Sequence, residues 1–137
     1  MNHFKKQILF LACTFVLTLG LAGAAYGHHS MAGFDRNKTV NLVGTIRQFK
    51  WANPHSWIEM EVPNDKGGVD IWNVEMTSPA VLIRAGWKSN LIKPGDKVTI
   101  ACHPLQSGEP GGIFVSVTLP SGQTYTDRPA PSTAAKQ

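Results

Sequence analysis

Four histidines lie downstream of residue 27: His28, His29, His55 and His103, the first two adjacent. A free α-amine beside an imidazole is a chelator, and among divalent first-row metals copper is held most strongly by such nitrogen donors. A chain starting at His28 would close one chelate ring through its α-amine and its own Nδ1. One further imidazole, from His55 or His103, would complete an amine-plus-two-imidazole brace. A chain starting at Tyr26 would instead offer its amine, two deprotonated backbone amides and the His28 imidazole. That is a square-planar set for Cu(II) or Ni(II), with no proline to block the amides. Copper is therefore the expected cofactor, with His28, His29, His55 and His103 as the donors. The competing reading is a terminal His pair without metal and a His55 that caps a turn after Pro54.

Both schemes need a terminus near residue 28, and the first residues supply one. Lys5 and Lys6 precede an uncharged apolar run from Ile8 to Ala22, and Gly23-Ala24-Ala25 follows. A basic start, an apolar stretch and small residues describe a secretory signal peptide, here residues 1–27. The run is short for the ~20 residues of a membrane span, so no span is expected after processing. Cleavage fits after Ala24, Ala25 or Gly27. Cys13 sits in the middle of the apolar run, the wrong place for a lipidated cysteine. The expected location is the periplasm of a Gram-negative-type cell, or outside it.

A chain beginning at His28 retains 110 of the 137 residues, and its net charge falls from +4 to +2 because Lys5 and Lys6 leave. That is too little positive charge to favour nucleic acid, even with Phe49, Trp51, Trp57, Trp72 and Trp87 as stacking surfaces. Cys102 becomes the sole cysteine and reads as a small buried hydrophobe, and no disulfide is expected. Cys102 and His103 are strand neighbours whose side chains point to opposite faces, so they do not share a metal. Met31, Met60 and Met76 are possible soft donors, but Met60 and Met76 fall on apolar strand faces and read as core.

Trp57, Glu59 and Glu61 share a strand face, a solvated one that doubles as a candidate ligand or partner surface. Glu75, on the next strand, reads as part of the same solvated carboxylate group. No pocket separates the environments of these acids, so no enzyme is expected.

The elements that must hold these residues are mostly strands. With 42% hydrophobic and 16% charged residues, the chain is one folded domain. Residues 28–37 form a lead-in without periodicity. The barrel domain is expected over 38–126, and 127–137, poor in bulky apolar groups, reads as a disordered tail. Lys38 to Trp51 is a long strand with Val40, Leu42, Gly44, Ile46 and Gln48 on one face and a bend at Gly44. Ser56 to Val62 and Val69 to Met76 alternate around a hairpin loop at 64–68. Ser78-Pro79 starts a helix running to about Trp87, with Val81/Ala85 and Ile83/Trp87 as i,i+4 pairs and Gly86 near its end. Lys97 to Leu105 and Ile113 to Leu119, the latter with Ile113, Val115 and Val117 aligned, are strands four and five. Tyr125 belongs to a short last strand. Three strands, a helix and two strands make the order of a small five-stranded OB-like barrel, a mainly β fold with its helix between strands 3 and 4. An open β-sandwich is the alternative.

His28-His29-Ser30, Asn53-Pro54-His55, Glu75-Met76-Thr77-Ser78-Pro79, Gly86-Trp87 and Lys93-Pro94-Gly95-Asp96 occur here in that order. In this the chain resembles a family of small secreted bacterial proteins known as a domain of unknown function. The resemblance runs from His28 to about Leu119. It implies a small, secreted, β-rich protein and no particular activity. The expected function is thus a secreted or periplasmic binding module that takes copper through its N-terminal histidines. The alternative is a metal-free accessory protein that docks to a periplasmic or membrane partner through a barrel face.

Overall fold

The computed structural model of the protein describes residues 33–128. From Phe34 onward the chain is built of β1 (Val40–Lys50), β2 (Trp57–Pro63), β3 (Val69–Glu75), a short helix α1 (Pro79–Arg84), β4 (Lys97–Pro104), β5 (Gly111–Thr118) and β6 (Thr124–Thr126). The sheet order is β3-β2-β1-β4-β5-β6. A parallel pairing of β3 with β5 closes β1 to β5 into a barrel, the OB-like architecture that the element order predicts.

The long first strand serves two neighbours. Its first half, Val40 to Thr45, pairs with β4, and its second half, Thr45 to Lys50, pairs with β2. The changeover falls at Thr45, next to Gly44, where a Cβ would overlap the Glu61 carbonyl oxygen and come 2.8 Å from the Met60 methyl. Absence of a side chain lets β2 cross β1 this closely, which is the bend expected of a glycine inside a barrel strand. Inward residues from all five strands then meet. Leu42, Ile46, Ile58, Met60, Val74, Ile100, Cys102 and Val117 are all at most 5% exposed. Met60 and Met76 belong to this core.

Two β-bulges change which residues face inward. One lies at Arg47 in β1, between the pairs Ile46–Met60 and Gln48–Glu59. It turns Gln48 to the outside and brings Phe49 against the core, so the expected run of inward residues stops at Ile46. The other lies at Val115 in β5, opposite the step from Ala101 to Cys102. Phe114 and Val117 are therefore the buried pair there, and Ile113 and Val115 are not. An extra residue on one strand shifts the period-2 alternation by one place.

Ser78 caps α1 with its backbone alone and Pro79 opens it. Gly86, at φ +89°, ends the turn in the left-handed region that glycine adopts without cost. The helix is thus shorter than the expected 78–87. Leu82 is fully buried and Ile83 is 61% exposed, so Ile83 and the buried Trp87 do not form the expected i,i+4 pair. Trp87 lies beyond the helix, where the chain has turned inward. Its ring packs against Phe49, Phe114 and Tyr125 at centroid distances of 5.9, 5.5 and 5.9 Å. Before β1, Phe34 bridges to Leu105, and the Asp35 N–H donates to the Pro104 carbonyl at 2.8 Å.

Candidate functional site

The β2–β3 hairpin fixes the site. Its pairs run from Pro63–Val69 to Trp57–Glu75. The ladder continues past Trp57, where the Ser56 N–H donates to Thr77 O and the Met76 N–H donates to Ser56 O. This places His55, at the end of the Asn53-Pro54 turn, diagonally across from Glu75 on the outer face of the sheet. There His55 Nδ1 lies against Glu75 Oε1. A carboxylate accepts, so the imidazole donates from Nδ1, and Nε2 is the ring nitrogen not engaged by Glu75. The His55 side chain is 43% exposed and that of Glu75 only 11%. The carboxylate is thus largely buried against an imidazole that is itself partly exposed.

Glu75 was expected on the solvated face with Glu59 and Glu61, and the structure corrects this. Glu75 lies at the open end of the hairpin, away from its loop, flanked by β2 on one side and β5 on the other through its pairing with Ile113. Glu59 and Glu61 stay partly exposed, and Arg47 Nε sits 3.4 and 3.6 Å from their carboxylates. A count from the hairpin loop puts Glu75 opposite Trp57, which leaves His55 two positions off that pair and within diagonal reach of it.

His103 is placed elsewhere. Its position follows a row across the barrel, Trp57–Glu75–Ile113–His103, which leaves an intervening strand between it and Glu75. Its Nδ1 donates to the Lys38 carbonyl at 2.8 Å. Cys102, its neighbour, points into the core, and burial pushes its thiol up to about 11. His28, His29 and Met31 lie outside the described residues, as do the expected signal peptide and positions 129–137 of the expected tail. Among the described residues no group of three or more His, Cys, Asp or Glu could hold a metal ion, so His55 and Glu75 alone do not make a complete site. Among them, too, no helix is long and apolar enough to cross a membrane.

Trp57 is 37% exposed, as expected for the outer face of β2. With Gln48, Lys50, Glu59 and Asn73 it lines a groove of about 270 Å³. Glu61, expected beside Trp57 and Glu59, lies outside the groove, farther along β2.

The model of a family of unknown function, DUF6152, matches residues 16–115. The match covers the His55–Glu75 pair and every strand but the last in full or in large part. No curated protein and no solved structure matches the chain.

Proposed function

The chain belongs to DUF6152, a family of unknown function, and from that premise we propose that it is an exported binding module for a copper ion. The observation that carries the reading is the contact of His55 Nδ1 with the buried Glu75 carboxylate. A metal-ligating histidine characteristically gives its second ring nitrogen to a carboxylate or carbonyl, which fixes the ring and makes the ligating nitrogen more basic. His55 has that support and a side chain that is 43% exposed. One imidazole does not retain a metal alone. The α-amine and imidazole of His28, freed by processing and followed by His29, are the donors that complete the set. Nitrogen donors of this kind select copper among the divalent first-row metals. The role is binding, with no catalytic step assigned.

Titration of Cu(II) into protein processed to begin at His28 tests this. One Cu(II) should bind per chain. Binding should weaken at least a hundredfold in His28→Ala and in His55→Ala, and should persist in His103→Ala. Protein that retains residues 1–27 should also bind weakly, since an amide nitrogen replaces the amine. Loss with His28→Ala alone would point to the Tyr26-Gly27-His28 chelate. Equal binding by all variants, or none by any, would leave the metal-free protein that docks to a periplasmic or membrane partner.

A further inference from the structure

We propose that the outer groove over β1, β2 and β3 binds a neutral saccharide ring, with Trp57 as the stacking surface and Gln48, Lys50, Glu59 and Asn73 as partners for its hydroxyls. The groove is assembled by register. Lys50 pairs with Trp57, and Gln48, Glu59 and Asn73 form the adjacent row. The Arg47 bulge is what turns Gln48 onto this face, and bulges commonly re-aim a side chain in this way beside a binding site.

The chemistry of the lining selects the ligand. A pyranose ring presents C–H groups on its faces and hydroxyls around its rim. An indole face receives the first, and planar amide and carboxylate groups, which can donate to or accept from vicinal hydroxyls, receive the second. Two amides, one carboxylate and one amine surround the exposed Trp57 here. The charges of Lys50 and Glu59 balance. The nearby guanidinium of Arg47 is engaged with Glu59 and Glu61. A polyphosphate would meet the Glu59 carboxylate and no surplus of cations, which disfavours a nucleic-acid strand despite the aromatic surface. The volume, about 270 Å³, is just under the ~300–1,000 Å³ typical of drug-sized pockets and suits a ring rather than a long apolar chain. The groove shares no residue with the His55–Glu75 pair, so the proposal does not depend on a metal.

Isothermal titration of the full chain with cellotetraose and chitotetraose, in the presence of a chelator, tests it. At least one of the two probes should bind with one site per chain. Its affinity should fall at least tenfold in Trp57→Ala and about threefold or more in Asn73→Ala, and should be unchanged in Ile83→Ala on the helix. Gln48→Ala, at an exposed position, serves as a second groove variant if Trp57→Ala does not fold. No binding of either tetrasaccharide would overturn the proposal. So would affinities indifferent to the groove variants, or tighter binding of an oligonucleotide or a peptide in the same groove.

Discussion

The indole N–H of Trp87 donates to the carbonyl oxygen of Thr126 at 2.7 Å, which ties the turn after the helix to the last strand. The same ring touches aromatic groups of β1, β5 and β6. Trp87→Phe keeps most of that packing and loses the bond. It should cost about 1 kcal/mol in denaturant unfolding and speed amide exchange at Thr124 to Thr126 more than elsewhere. Trp87→Ala should cost about 3–5 kcal/mol.

Gly44 and Gly68 make a matched comparison. A methyl group at Gly44 runs into the Glu61 carbonyl, whereas at Gly68 it would rest 3.6 Å from the Asn64 side chain. Gly44→Ala should destabilise by about 3 kcal/mol or more, the upper end of the overpacking range. Gly68→Ala should stay within about 0.5 kcal/mol of the parent protein. Chemical melts of the two variants decide the matter, and equal midpoints would refute the close β1–β2 crossing.

The Cys102 thiol is held neutral by burial, with its folded-state value pushed up to about 11 from 9.0. As pH rises from about 9 to about 11, the unfolded chain loses this proton before the folded chain does. Stability should therefore fall across that window. Cys102→Ala should remove this part of the slope while lowering stability at neutral pH. A thiol reagent should label the native protein slowly and the unfolded protein at once.

Glu75→Gln tests the support given to His55. The amide has nearly the same shape but no charge, and it can present a donor as well as an acceptor to Nδ1. Copper affinity of the processed protein should drop about 10–100-fold, with the barrel's circular dichroism unchanged. An unaltered affinity would show that His55 is not a ligand, or that its tautomer is set by something other than Glu75.

Much of the barrel could be read from the residues, because strands with one buried face alternate visibly. Leu42, Ile58, Met60, Val98, Ile100 and Cys102 all stand where alternation puts them. The errors cluster where a strand carries one residue too many. Gln48 and Ile113 were assigned inward because an unbroken period of two cannot register the bulges at Arg47 and Val115. Ile83 was paired with Trp87 because their spacing suits a helix that in fact ends at Arg84. The exposure of Trp57 was legible from its place on one strand face with Glu59 and Glu61. Glu75 was misjudged for a different reason. A carboxylate on a strand is usually solvated, and only the hairpin register shows that this one meets an imidazole twenty positions back.

The seam between β3 and β5 consists of three pairs, Asn73–Gly111, Val74–Gly112 and Glu75–Ile113. Its two sides are 38 positions apart in the chain, and β5 also completes β4. A nascent or truncated chain ending before Gly111 would carry two bare strand edges at once, one on β3 and one on β4. Exposed edges of that kind recruit strands from other molecules. Pairing between segments so distant in sequence is also slow to find. Assembly should therefore be all-or-none and gated by the C-terminal third, and the aggregating species should be the incomplete chain rather than the finished barrel.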